Sequence, residues 1–358
     1  MNKRSYHVLG VMSGTSLDGI DLAEVIFTVS EENVWDFKLI SAQTMAYPSV
    51  WKDRLQAAVN FSEDELNQLN EEYTKYLSEV ITTFITTHKI ENLDVVSSHG
   101  HTILHRPELG ITLQIGNLPA LSEWIEKDVV CDFRVQDVAY GGQGAPLVPI
   151  GDRLLFSEYD YCLNLGGFAN VSYEKDGERR AYDICPVNIV LNRYAAKLGL
   201  AYDDKGKTAA KGNLDKKLLD QLNALDFYAQ NPPKSLGLEW VLQHIIPVLE
   251  ESGAKPDDIL QTFTQHIVQQ ITSQFREGAS VIVTGGGAYN DYLLNIISEK
   301  GIVDLVKPSE DIIEFKEAII FALLGVLKLR NEINCLASVT GAIKDHSSGS
   351  IFRVTSSN

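Results

Sequence analysis

Three stretches place glycines directly after apolar, strand-like runs, and glycine there lets a ligand approach the main chain closely. The first is Val11-Met-Ser-Gly-Thr-Ser-Leu-Asp-Gly-Ile-Asp21. Its backbone N–H groups and hydroxyls suit phosphate oxygens, and Asp18 suits a magnesium ion held through water. Asp-Gly is also a common turn pair, so on its own the stretch reads equally as a hairpin. The second is Leu163-Asn-Leu-Gly-Gly-Phe-Ala-Asn170, with Asn164 and Asn170 as amide donors; it too is a hairpin when taken alone. The third, Val281-Ile-Val-Thr-Gly-Gly-Gly-Ala-Tyr-Asn290, is expected to deliver three glycines to the start of a helix, where free N–H groups favour anions. It lacks the GxGxxG spacing of a dinucleotide fold, and no Gly-Lys-Ser/Thr P-loop occurs.

Other side chains could act on a substrate. Ser97-Ser-His-Gly-His-Thr-Ile-Leu-His-Arg-Pro107 packs three histidines into seven positions. No thiol or carboxylate stands nearby at zinc-ligand spacing, so these loop histidines read as partners for a polar ligand or for the loop itself. Arg134, in Cys131-Asp-Phe-Arg134, could fork onto a carboxylate or phosphate; the plain alternative is a surface ion pair with Asp132 or Asp137. Asp183 lies in the otherwise apolar run Ala181-Tyr-Asp-Ile-Cys-Pro186. A carboxylate is unexpected there for packing, which makes it a candidate general base or a helix-capping group. Lys316 and Glu317 open an apolar helix, whose dipole would favour Glu317 in any case.

The elements that must position these groups can be read from periodicity. Strands are predicted over His7–Ser13, Asp21–Val29 and Val34–Tyr47. A helix from Ser62 to Lys89 follows, with a Ser62/Glu65 capping box and Leu66, Leu69, Tyr73, Leu77, Val80 and Phe84 on one face. Further strands are predicted at Asp94–Ser98, Ile111–Ile115 and Asp128–Phe133, with a helix over Ala120–Lys127. The Gly- and Pro-rich stretch Tyr140–Pro149 marks a loop or domain crossing. The grammar then restarts with strands at Tyr159–Leu165, Ala169–Tyr173 and Arg180–Ile184 and a helix at Asn188–Leu198. A helix stepping by four through Ile259, Phe263, Ile267, Ile271 and Phe275 leads to a strand at Ser280–Thr284. Helices at Asn290–Lys300 and Glu314–Glu332 close the chain. Strand, glycine turn, strand, strand thus occurs twice, which suggests duplicated α/β domains.

At 358 residues the chain exceeds one ordinary core. Its 44% apolar and 22% charged residues suit a folded protein, with disorder expected only over Ser347–Asn358. The net charge of −17 would repel nucleic acid and anionic lipid. The start is a poor signal peptide, and the longest apolar run, Ile319–Leu327, is too short to span a bilayer. Four cysteines without a CxxC pair suit a reducing, cytoplasmic setting as buried structural thiols.

Together, GVMSGTSLDGID, SSHGHTILHRP, TLQIGNLPALSE, CDFRVQDVAYGGQGAPLVP, LNLGGFANVSY, YDICPVN, VTGGGAYN, FKEAIIFALL and SVTGA, in this order over residues 8–342, resemble the signature segments of the anhydro-N-acetylmuramic acid kinase family. Cys185 and Val187 depart from the small residues usual in the family. The resemblance implies a two-domain actin-like ATPase fold of ribonuclease H-like domains, with an ATP cleft between them. We place the domains at 1–142 plus 331–358 and at 143–330. It implies ATP and Mg2+ as cofactors, a homodimer and a cytoplasmic sugar-recycling role. The reaction implied opens the 1,6-anhydro bridge of 1,6-anhydro-N-acetylmuramic acid with water while O6 is phosphorylated. Asp183 would then be the base and Glu317 its assistant. His99, Arg134 and Gln143 would bind sugar. Gly14, Thr15, Ser16, Asp18, Gly19, Gly166, Gly167, Asn170, Gly285, Gly286 and Gly287 would bind ATP, with Asp18 on the metal. A levoglucosan-type kinase and a non-catalytic actin-like ATPase switch remain the alternatives.

Overall fold

The computed structural model describes residues 3–355. The chain forms two units, Met1–Leu155 with Phe315–Asn358, and Phe156–Glu314. The boundaries therefore fall after Leu155 and before Phe315, and not after Gly142 and Arg330. The reason lies in the first unit: Gly151, in the helix Pro149–Leu155, packs so closely on Ile320 that a Cβ would come within 2.5 Å of its side chain. Tyr140–Pro149 is thus an internal loop of the first unit and not the crossing.

In the first unit β1 (Ser5–Ser13), β2 (Gly19–Val29) and β3 (Trp35–Ala46) form an antiparallel meander. β4 (Val95–Arg106) runs parallel to β1, β5 (Ile111–Ile115) folds back on β4, and β6 (Val129–Cys131) is parallel to β4. The central strand order is β3-β2-β1-β4-β6. β1 is buried on both faces because helices cover both. Leu9 and Val11 join the core of the helix Glu63–His88, whose buried face is Leu66, Leu69, Tyr73, Leu77, Val80, Ile81 and Phe84. That helix has the predicted Ser62/Glu65 capping box and stops at Lys89 in the left-handed region. Gly10 points the other way, toward the helix Glu310–Leu329. A Cβ on Gly10 would lie 2.1 Å from the Ala318 carbonyl oxygen, and one on Gly325 would lie 2.5 Å from Ser97 Oγ. This seam of small residues fixes where Glu317 sits.

Two expectations fail here. The histidine segment is strand, not loop, because β5 pairs with β4 through His105 and Arg106. The serine-rich tail is ordered through Thr355. Its Ser350–Phe352 forms the last strand, β12, paired antiparallel with β6 on the edge that faces away from β4. Residues 356–358 of that stretch lie outside the described residues.

The second unit repeats the plan. β7 (Tyr161–Leu165), β8 (Phe168–Lys175) and β9 (Glu178–Pro186) form a meander; β10 (Ala279–Thr284) is parallel to β7, and β11 (Val303–Val306) is parallel to β10. Its order is β9-β8-β7-β10-β11. The helix Pro256–Thr272 supplies Ile259, Leu260, Phe263, Ile267, Val268 and Ile271 to the core, as the four-residue steps predict.

Candidate functional site

In the first unit the turn Gly14–Asp18 joins β1 to β2. Leu17 adopts φ 60°, and its N–H reaches the Gly14 carbonyl at 3.4 Å. Thr15, Ser16 and Asp18 are exposed. A Cβ on Gly14 would meet nothing closer than Ser16 Oγ at 3.6 Å, so the fold does not demand glycine there. Gly19 differs: a Cβ would lie 2.6 Å from the Met45 carbonyl oxygen. Beneath the turn, buried Ser13 Oγ bonds Tyr47 Oη at 2.7 Å and His101 Nδ1 at 2.8 Å, and Tyr47 bonds Tyr73. Burial pushes His101 down to about 4, so its ring is neutral near pH 7. A floor of neutral groups thus supports an exposed polar turn.

Beside this floor, the pairing of β1 with β4 jumps from Val11↔Ser98 to Ser13↔His101, bulging His99 and Gly100 out of register. Arg134 Nε donates to His99 Nε2 at 2.9 Å and Nη1 donates to the Gly144 carbonyl at 2.6 Å. Burial, then the neighbouring guanidinium, holds His99 far below the usual histidine range. Its Nδ1 lies 2.9 Å from the Gly100 carbonyl, which places the ring proton on Nδ1 and leaves Nε2 to accept from Arg134. Arg134 forms no ion pair with Asp132 or Asp137, the plain reading from sequence. Asp132 instead accepts from Asn117 Nδ2 at 2.9 Å, and Asp137 is fully buried among other donors. The acidic group that acts most strongly on Arg134 is Glu317, with Asp137 contributing less. The Glu317 side chain stays accessible to solvent. Its carboxyl is nevertheless raised by desolvation, opposed by Arg134 and helped by Asp21. Lys316, next to it, is spent on structure in a buried 2.7 Å ion pair with Asp152. Gln143 is exposed on the loop that carries Gly144, anchored through its N–H to the Thr340 carbonyl at 2.8 Å.

In the second unit the corresponding turn is two residues, Gly166-Gly167, and it is tied down. The Gly167 carbonyl accepts from Val187 and Ile189, the Gly166 carbonyl accepts from Asn188, and Asn188 Nδ2 donates to the Leu165 carbonyl at 3.1 Å. A Cβ on Gly167 would find only Ile189 at 3.9 Å. Gly285, with φ 79°, and Gly287 are required by the fold, because Cβ atoms there would strike Asn164 Oδ1 at 2.5 Å and Leu165 Cβ at 2.6 Å. Gly286 between them is open, with Asn188 Nδ2 at 3.8 Å the nearest atom. The three glycines do not open directly into a helix. A 3-10 turn, Gly286–Tyr289, intervenes, and the helix Asp291–Glu299 is capped by Asn290, whose Oδ1 takes the Leu293 N–H at 3.0 Å. The α-helix N-terminus is thus already capped by its own asparagine, and the open backbone of this segment lies at Gly286.

Asp183 stands opposite Asn170 across β9 and β8. The register there passes from Ala169↔Cys185 to Asn170↔Asp183, so Ile184 is a bulge. The bulge leaves Asp183 half-buried while Tyr182, Ile184 and Cys185 are buried. Asp183 Oδ2 accepts from Leu236 N–H at 2.8 Å, and its own N–H donates to the Lys234 carbonyl at 3.1 Å. It caps no helix. Desolvation raises its carboxyl, opposed by the Leu236 N–H, and among the described residues no cation pairs with it. This is a carboxylate kept basic by its surroundings.

The first unit therefore gathers His99, Arg134 and Glu317 near the Gly14–Gly19 turn, and the second gathers Gly166, Gly167, Asn170, Asp183 and Gly285–Gly287. Sequence reasoning missed Asn117, which bonds both the His99 carbonyl and Asp132, and the 234–236 segment that holds Asp183. The Pro232-Pro233 pair before that segment was the available signal of a turn.

The family model for anhydro-N-acetylmuramic acid kinase matches residues 6–354. The chain is 31% identical to the Haemophilus influenzae anhydro-N-acetylmuramic acid kinase over 98% of this chain and 99% of that protein. It is 34% identical to the Azorhizobium caulinodans protein of the same name, over 97% and 99%. Among solved structures, a ligand-bound xylulose kinase from Lactobacillus acidophilus aligns with 90% of this chain and 89% of its own, at 11% identity and a TM-score of 0.44.

Proposed function

The chain belongs to the anhydro-N-acetylmuramic acid kinase family, and we propose that it opens the internal bridge of 1,6-anhydro-N-acetylmuramic acid with water while phosphorylating O6 from ATP. Its family makes it a phosphotransferase, and two α/β units of the same strand order are what an actin-like ATPase would have. The observation that carries the mechanistic reading is Asp183. It is half-buried, raised in basicity by desolvation, and aimed by a bulge and one backbone N–H. An inverting glycosidase needs a base for water and an acid for the leaving oxygen. Asp183 takes the proton from water as the water oxygen bonds C1. The C1–O6 bond breaks, and O6 bonds the γ-phosphorus as the bond to ADP breaks, so no separate acid is required. The product is N-acetylmuramic acid 6-phosphate.

Arg134, steadied by His99 and the Gly144 carbonyl, still offers Nη2, which has no acceptor among the described residues; it would pair with the substrate carboxylate. Glu317 would orient sugar or water, and Gln143 would add an amide contact. Gly14, Thr15, Ser16, Gly19, Gly166, Gly167, Asn170, Gly285, Gly286 and Gly287 would line ATP. The strongest support comes from Gly14, Gly167 and Gly286, which the protein's own packing does not require to be glycine. The exposed Asp18 carboxylate fits a water-mediated magnesium ion, which would neutralise phosphate charge. We also propose a homodimer and a cytoplasmic location. Free, buried thiols at Cys131, Cys162, Cys185 and Cys335 support the latter. Among the described residues no helix is long and apolar enough to cross a membrane.

Turnover in ¹⁸O-water tests the reading. One label is expected at the anomeric C1 hydroxyl of product sampled early, and none in the phosphate ester. Label in inorganic phosphate, or a product retaining its anhydro bridge, would sink it in favour of an ATPase or an ordinary hydroxyl kinase.

A further inference from the structure

We propose that Asp137, Cys335 and His346 of the first unit form a binding site for a divalent transition-metal ion of the zinc class, which ties the C-terminal segment to the loop under Arg134. Cys335 and His346 face each other across a β-bridge made by two backbone hydrogen bonds, each 3.1 Å, so their spacing is fixed by main chain. Asp137, in the helix Val135–Ala139, completes the group. Cys335 Sγ lies 3.0 Å and His346 Nε2 3.7 Å from Asp137 Oδ1, and the three donor atoms lie within 4.8 Å of one another. Bonds of about 2.0 Å to nitrogen and oxygen and about 2.3 Å to sulfur separate tetrahedral ligand atoms by roughly 3.3–3.7 Å. The observed spacings bracket that range. All three residues are buried.

A second observation points the same way. His346 Nδ1 lies 3.1 Å from the Lys344 carbonyl, which can only accept, so Nδ1 carries the ring proton. Nε2 is then a lone pair, buried, without a hydrogen-bond partner, and turned toward a carboxylate and a sulfur. An acceptor facing acceptors is unfavourable in a closed interior; a cation between them removes the conflict. A histidine whose other nitrogen donates to a backbone carbonyl has the outer-shell arrangement usual for a metal ligand. Asp137 is oriented in the same manner: its Oδ2 takes the Gly144 N–H at 2.7 Å, and its Oδ1 accepts from Thr340 Oγ1 at 2.7 Å. On binding, the Cys335 thiol proton leaves to solvent and the thiolate bonds the ion. Gly144 also gives its carbonyl to Arg134, so the ion would stiffen a proposed substrate-binding arginine without touching substrate.

The full-length protein, freed of metal with a chelator and then titrated with zinc or cobalt in the absence of nucleotide, tests this. One equivalent of zinc is expected, with a rise in Tm. Cobalt should give tetrahedral visible bands and a thiolate-to-metal band in the near ultraviolet, and Cys335→Ser should lose the latter. Removing an outer-shell partner alone costs about 10–100-fold in affinity, so His346→Ala should lose at least that. Should either variant fail to fold, the wild-type cobalt spectrum decides by itself. A wild-type protein indifferent to both metals, or undiminished affinity in His346→Ala, would overturn the proposal and leave the cluster a hydrogen-bonded structural hub.

Discussion

The two units lay down the same order of five strands and then finish their first hairpins in opposite ways. The first leaves Thr15, Ser16 and Asp18 exposed, the turn held by two long backbone bonds of 3.4 Å (Leu17 N–H to the Gly14 carbonyl and Tyr47 N–H to the Asp18 carbonyl), above a floor of Ser13, His101, Tyr47 and Tyr73. The second shrinks the turn to Gly166-Gly167 and spends its carbonyls on the start of the helix Asn188–Ala196. Charge follows the same division. The first unit's arginine is shared among a histidine, a carbonyl and the acidic Glu317, whereas the second unit's Asp183 meets a single N–H and no cation among the described residues. Duplicated topology thus carries two different local arrangements: an exposed polar turn in the unit that holds a half-buried arginine, and a tied-down turn in the unit that holds a desolvated, unpaired carboxyl.

The sharpest way to break this comparison is to remove the base. Asp183→Asn should lower kcat by about 10²–10⁴, the usual contribution of a positioned base, with ATP binding nearly unchanged. Near-normal turnover would deny the second unit its chemical role. Arg134→Ala should cost about 1.5–3 kcal/mol of sugar binding, as expected for a hydrogen bond to a charged group. An anhydrosugar lacking the carboxylate should lose far less; equal losses would show that the first unit does not read that group.

The glycines sharpen the contrast further. Gly285→Ala, at positive φ and against Asn164, should destabilise by about 1–3 kcal/mol, seen as a lower Tm. Gly14→Ala should stay within about 0.5 kcal/mol of the parent in stability yet raise KM for ATP. Unaltered ATP kinetics would mean that no phosphate comes close to the first turn.

The smallest effect is one of sign. Desolvation raises the carboxyls of Asp183 and Glu317 in the folded protein, so folding favours their protonated forms. Their contribution to stability declines as pH rises from the ordinary carboxylate value through the raised one. Asp183→Asn and Glu317→Gln cannot ionise, so each should show a slightly higher Tm than the parent at neutral pH and no such gain at acid pH. A lower Tm at neutral pH would mean that the ionised carboxylates hold their units together.

Much of this was legible from residue order because the signals were local. The meanders follow from alternating apolar runs, the helix Glu63–His88 from its capping box and three-and-four steps, and Asp183 from a carboxylate among apolar neighbours. What escaped depended on distant partners. Nothing near Ser350 announces β6. Asp137 looks like a surface acid in sequence. It is buried only because Cys335 and Thr340, some two hundred positions later, arrive to bond it. The helices Lys216–Asn223 and Ile246–Glu251 are too short to show a sustained period in the sequence.

The small-residue seam also orders events during synthesis. The face of β1 and β4 that presents Gly10 and Ser97 is made early, but the Ala318, Phe321 and Gly325 that cover it belong to the last part of the chain. The second unit is continuous and can close as soon as Glu314 has emerged, while the first, begun earlier, must wait for the helix Glu310–Leu329. The unit begun first is therefore the one completed later, and until residues 315–329 have emerged its central strand has only one of its two covers.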